Sequence, residues 1–178
     1  MRSVCVFLSS SNGRPSDVEA IRALGRELAR RDLMLVYGGA HRGLMGVLAD
    51  AVLEAGGKAL GVIPKALVDL EIAHQGLTEL HVVETMHQRK AMMFTHADAF
   101  VVAPGGFGTL EEAFEQLTGL QLGYHAKPIV FLDIGGFWTA MEGFLDQAVA
   151  AGVLRAEARA LFRTASSASS ALDVLAAW

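Results

Sequence analysis

Short apolar, β-branched runs recur at 4–8, 33–37, 59–63, 80–83, 99–103 and 129–132, and helix-length stretches at 16–31, 44–55, 86–97, 110–123 and 137–151 separate them almost without interruption. Runs this short, apolar throughout rather than alternating, fit strands buried on both faces, and such strands need a layer of helices on each side. Alternating strand and helix implies parallel strands joined by helical crossovers. The predicted fold class is therefore α/β, a Rossmann-like open parallel sheet with helices on both faces. Two stretches depart from the pattern. Residues 64–78, with Pro, Asp and Gly and weak periodicity, read as a loop with a short helix covering a site, and the Ala- and Ser-rich residues 156–178 read as one or two terminal helices.

Length and composition fit one core. The 178 residues, 52% hydrophobic and 19% charged, suit a single domain spanning 1–178 and leave little material for disorder. A formal net charge of −4 supplies no general attraction to a nucleic-acid backbone, so no nucleic-acid partner is expected and any phosphate must be held locally. The single cysteine, Cys5, sits in an apolar run and reads as a buried, inert thiol; with no internal disulfide possible, a cytoplasmic location is expected. The first apolar run is too short to span a membrane and lacks a cleavage pattern, so neither a signal peptide nor a membrane partner is expected.

In open parallel sheets ligands sit beyond the carboxyl ends of the strands, which points to 9–14, 38–43, the segment before Met86, 104–109 and 133–136. In VVAPGGFGTLEEAF a glycine-rich turn joins a strand to a helix, where unpaired N–H groups and the helix dipole favour an anion. The alternative is a tight turn with no ligand. Thr109 fits either a hydroxyl donor to that anion or the helix N-cap. No lysine follows the turn, as a Walker loop requires, and Glu111 occupies the third glycine position of a dinucleotide fingerprint. YGGAHRGLMG offers a second helix start on the same sheet edge, and together the two suggest a nucleotide; His41 and Arg42 within it read equally as solvated residues or ligands.

The segment ETMHQRKAMM places Arg89 and Lys90 in the first turns of a helix, where positive charge opposes the dipole and calls for a bound anion or for solvent exposure. In the following helix Leu110, Ala113, Phe114 and Leu117 mark the buried stripe, leaving Glu111, Glu112 and Glu115 off its centre. Two carboxylates beside a phosphate repel it unless one aims past it toward the sugar, and spacing alone does not choose between Glu111 and Glu112. The histidines show no HExxH spacing and one cysteine builds no zinc knuckle, so no metal is expected; no GxSxG elbow is present either.

The run Pro104, Gly105, Gly106, Gly108, Thr109, Glu112 reproduces the PGGxGTxxE signature of the Lonely-guy (LOG) family, cytokinin riboside 5′-monophosphate phosphoribohydrolases long labelled possible lysine decarboxylases. YGGAHRGLMG resembles that family's YGGGxxGLMG, MHQRK its MHxRK, and GVIPK and QLGYHAKP recur, so the resemblance runs from about 9 to 152. It implies a homodimer that binds a small-molecule nucleoside monophosphate, adenosine monophosphate or an N6-prenylated derivative, and releases free base and ribose 5-phosphate with no cofactor. The implied catalytic pair is Arg89 and Glu112. Implied ligand contacts are Glu71, Arg89, Lys90, Gly105, Gly106, Phe107, Gly108, Thr109, Leu110, Glu111 and Thr118, with Ser9, Gly13, Gly38 and Gly39 lining the same pocket. Ala40, Ala103 and Gly119 depart from the glycine, leucine and tryptophan common there, which bears on base preference more than on phosphate binding.

The expected chemistry places the phosphate on the N–H groups of 105–109 and the Glu112 carboxylate against the ribose, where it stabilises positive charge and orients water, with Arg89 keeping it ionised. The alternative is a non-catalytic nucleotide or molybdenum-cofactor carrier on the same scaffold, against which stands the retention of both Arg89 and Glu112. Decarboxylation fits poorly, because no lysine lies in a recognisable Schiff-base context.

Overall fold

The computed structural model describes residues 1–70 and 72–178. Its strands are β1 (Ser3–Phe7), β2 (Met34–Tyr37), β3 (Ala59–Pro64), β4 (Glu79–Val83), β5 (Ala99–Val102), β6 (Ile129–Leu132) and β7 (Arg163–Ala165). Its helices are α1 (Pro15–Arg30), α2 (Gly43–Glu54), α3 (Lys65–Val68), α4 (Met86–His96), α5 (Phe107–Gln121), α6 (Thr139–Ala150), α7 (Ala156–Arg159) and α8 (Ala168–Ala176). All strand pairs are parallel, in the order β4-β3-β2-β1-β5-β6-β7.

The central strands explain the two-layered cover. In β1, Val4 and Val6 point into a core with Ile21, Leu24 and Leu28 of α1, Leu48 of α2 and Leu172 of α8, whereas Cys5 and Phe7 point into a second core with Met93 of α4, Ala113 of α5 and Leu145 of α6. Successive side chains of a strand alternate in direction, so a strand apolar at every position feeds both layers. Cys5 is fully buried in this way, and burial pushes its thiol well above the ordinary value, which removes it from nucleophilic chemistry. Among the described residues no helix is long and apolar enough to cross a membrane.

Two local devices set the helix starts nearest the site. Thr85 and Gln88 form a reciprocal capping box that fixes the first residue of α4 at Met86. At α1 the buried Asp17 carboxylate binds the Arg14 guanidinium at 2.7 Å and also accepts the Arg14 backbone N–H. The Arg14 guanidinium holds Asp17 below its usual range.

The carboxyl-terminal segment corrects the sequence reading. Within 156–178 the expected terminal helices are α7 and α8, and between them Arg163–Ala165 forms an edge strand alongside β6, in register Val130↔Arg163 and Leu132↔Ala165. Three residues, two of them polar and exposed, carry no strand signal of their own; the unpaired edge of β6 supplies the partners. In residues 64–78 the expected short helix is α3, and the chain then lies against the loop after β2. An antiparallel bridge joins Ala40 to Ala73, and the His41 and His74 N–H groups donate to Ile72 and Gly39 carbonyls at 2.9 Å.

Candidate active site

The chain order of the sheet reverses between β1 and β5: β2 to β4 follow on one side and β6 and β7 on the other. Loops leaving the carboxyl ends of β1 and β5 therefore diverge and open a crevice. A cleft of about 500 Å³ lies there, bounded by Ser9–Ser11 after β1, Gly38 after β2, the first two turns of α5 and Arg89 of α4.

Helix α5 starts with no side-chain cap on its N-cap residue Gly106. The N–H groups of Phe107, Gly108 and Thr109 find no acceptor among the described residues, and the first main-chain bond of the helix is Leu110 N–H to the Gly106 carbonyl at 3.0 Å. These are the orphan donors of a helix amino end, and their residues line the cleft. Gly105 is required beneath them, because a Cβ there would lie 2.0 Å from the Oγ1 of buried Thr109. Thr109 is thus the third residue of the helix, and the N-cap role left open for it belongs to Gly106.

The second helix start differs from its sequence reading. Leu44 N–H donates to the Ser11 carbonyl and Met45 N–H to the Ser9 carbonyl, so the loop after β1 already occupies the amino end of α2. Gly43 makes that closure possible, since a Cβ there would stand 2.3 Å from the Ser10 carbonyl oxygen. One open helix start serves the cleft, and the other is a structural joint. The turn also separates His41 from Arg42: Arg42 lines the cleft, while His41 lines a different hollow together with His74, Gln75 and Gly76.

Arg89 and Glu112 meet inside the cleft, both nine-tenths buried, with Arg89 Nη1 3.5 Å from Glu112 Oε1. Arg89 Nε donates to the Val62 carbonyl at 3.1 Å, which anchors the guanidinium to β3. Glu112 Oε1 is buried with no hydrogen-bond partner among the described residues. Two effects oppose each other on this carboxyl group: burial favours the neutral form and Arg89 the ionised one. Burial wins, and Glu112 is pushed up to about 7. The expectation that Arg89 keeps Glu112 ionised is thereby corrected: the ion pair is too long and too dry to offset desolvation, and the group is poised near neutrality.

Lys90 has a different environment. Its Nζ is hydrogen-bonded to Glu111 and lies 3.1 Å from Glu115, a three-charge bridge between α4 and α5. Hydrogen bonding to Glu111 raises the Lys90 ammonium above its usual value. The anion that offsets positive charge early in α4 thus comes from the protein itself. The same bridge distinguishes the acidic residues: Glu111 is tied to Lys90 at the half-exposed rim, and Glu112 is the buried carboxylate facing Arg89.

Of the residues named from the sequence, Ser9, Gly38, Arg89 and Glu112 line the cleft. So do Gly106, Phe107, Gly108, Thr109 and Glu111. Lys90 and Gly105 are not part of this lining, Leu110 packs into the second core, and Gly13 and Gly39, both with positive φ, shape the turns after β1 and β2. Thr118 lies two turns further along α5, its hydroxyl donating to the Phe114 carbonyl at 2.7 Å. Glu71 lies outside the described residues. Sequence reasoning missed the apolar part of the cleft lining, Leu8, Met45, Leu67, Ile72 and Met86. The only signal was the reading of 64–78 as a cover, which did not say which of its side chains turn inward.

The family model described as possible lysine decarboxylase matches residues 45–175. A cytokinin riboside 5′-monophosphate phosphoribohydrolase of Arabidopsis thaliana is 45% identical over 168 residues, covering 94% of this chain and 77% of that protein. A probable enzyme of the same name from Oryza sativa subsp. japonica is 45% identical over 175 residues, covering 98% and 77%. Among solved structures, the molybdenum cofactor binding protein of Rippkaea orientalis superposes with a TM-score of 0.76 at 18% identity, covering 99% of this chain and 96% of that one. The molybdenum cofactor carrier protein of Chlamydomonas reinhardtii gives 0.74 at 20%, covering 99% of each. At such identities those two likenesses establish the fold alone. The sequence relatives establish more, and the chain belongs to the LOG family of phosphoribohydrolases, whose model carries the older decarboxylase description.

Proposed function

We propose that the protein hydrolyses the N-glycosidic bond of adenosine 5′-monophosphate or its N6-modified derivatives, releasing free base and ribose 5-phosphate. The observation that carries this reading is the buried Glu112 carboxyl group, one oxygen without a hydrogen-bond partner among the described residues and 3.5 Å from Arg89, set one turn along from the open amino end of α5. The phosphate binds the free N–H groups of Phe107, Gly108 and Thr109, with Arg42 at the rim. Ionised Glu112 then faces the pentose. Breaking the C1′–N bond builds positive charge on the ribose, which the carboxylate stabilises while it orients a water. The water oxygen ends on C1′, and the departing base gains a proton. Arg89 stays charged throughout and serves to hold and polarise rather than to donate that proton.

The carrier reading has support from the shared fold only, and a ligand merely carried needs no buried carboxylate poised near neutrality. Incubation of purified protein with adenosine monophosphate and with its isopentenyl derivative is expected to release free base and ribose 5-phosphate from at least one. Tight nucleotide binding without release from either identifies a carrier instead.

We also propose a homodimer, in line with the family resemblance. Among the described residues the outer edge of β4 is unpaired, and Val82 of that strand and Met86 at the start of α4 expose 52% and 47% of their surface, an apolar edge that a second copy would cover. Light scattering at micromolar concentration should return twice the chain mass; a monomer there rejects the proposal.

A further inference from the structure

We infer that Gly38 is a positioning residue for the proposed reaction: the space left by its missing side chain is where the Arg89 guanidinium lies, and this sets how that group stands against Glu112. A Cβ built on Gly38 would fall 1.7 Å from Arg89 Nη2 and 2.9 Å from its Cζ, with Met45 Cε at 2.4 Å. The backbone does not explain the glycine, because Gly38 is not among the positive-φ residues, whereas its neighbour Gly39 is, at 74°. What Gly38 provides is room for one planar cation. That cation is confined on its other sides, its Nε held by the Val62 carbonyl at 3.1 Å and Nη1 facing Glu112. The atoms a methyl group at 38 meets first are the ends of two long side chains. Both yield, so the fold survives, and what is lost is the placement of the guanidinium.

The catalytic consequence rests on the proposed hydrolase reading; the structural consequence does not. Gly38→Ala is expected to lower kcat roughly tenfold to a hundredfold, the scale of a misplacement of about 1 Å. It should also move the pH at which Glu112 ionises upward, because Arg89 is the stronger of the two cations that lower it, while the other, Lys90, stays in place with Glu111 and Glu115. A glycine needed only for folding would leave that pH unchanged.

The test compares the wild type with Gly38→Ala, Arg89→Ala and the double variant, reading melting temperature, kcat and the pH profile of kcat/KM with adenosine monophosphate or its isopentenyl derivative. The expected result is an upward-shifted profile for Gly38→Ala and a double variant no less stable and no less active than Arg89→Ala alone, since the methyl group then displaces only the flexible end of Met45, which can turn into the space the guanidinium leaves. An unshifted profile, or a second loss of stability in the double variant equal to that of Gly38→Ala alone, overturns the inference. If Gly38→Ala does not fold, the double variant decides: folding supports the assignment and failure to fold rejects it. If the wild type proves inactive, the reading of function fails separately and the stability cycle still decides the role of Gly38.

Discussion

Glu112→Gln is expected to lower kcat by roughly a hundredfold or more while leaving nucleotide affinity within about tenfold of wild type. Affinity is spared because the phosphate is held by main-chain N–H groups at the start of α5, which glutamine at 112 leaves in place. Turnover is lost because an amide cannot supply the negative charge that the ribose requires as its bond to the base breaks. Glutamine matches glutamate in shape, so the cleft keeps its form, and Arg89 keeps its bond to the Val62 carbonyl. Steady-state kinetics combined with calorimetric binding of the nucleotide separate the two quantities. A Gln variant within tenfold of wild-type turnover would refute the role given to Glu112.

The second large effect is a pH dependence traceable to the same carboxyl group. With Glu112 pushed up to about 7 in the free protein, kcat/KM is expected to fall about tenfold per pH unit below that value, hence about a hundredfold by two units lower. The substrate phosphate also titrates, at about pH 6, and its contribution persists in the residual activity of Glu112→Gln, whereas the higher limb disappears. Stability responds with the opposite sign. The folded state raises this group from 4.5, so its stabilising contribution is fully present below 4.5 and is lost as pH rises through about 7. The shift corresponds to on the order of 3 kcal/mol. Relative to Glu112→Gln, the wild type should therefore lose stability between pH 5 and 8, whatever constant offset the substitution brings. Denaturant melts of both proteins at several pH values measure this difference; parallel stability curves, together with a flat kcat/KM profile, would show Glu112 ionising at an ordinary pH.

The sequence alone determined the layered α/β plan, six of the strands and the glycine-rich entry into α5, because burial on both faces and a strand-to-helix turn are written in runs of adjacent residues. It also brought Glu111 and Glu112 forward together as carboxylates off the buried stripe of that helix. The motif resemblance singled out Glu112, but the physical reason lies in the tertiary structure, where Lys90 reaches Glu111 from α4 while Arg89, on the same helix, reaches Glu112. The same limit explains the other differences. YGGAHRGLMG looks like an open anion site until the Ser9 and Ser11 carbonyls arrive from the end of β1, and Arg163–Ala165 becomes a strand only beside β6. Whether a helix end is free, a carboxylate dry or a glycine crowded depends on groups brought close by the strand order, and pairings between distant segments leave no period in the chain to be read.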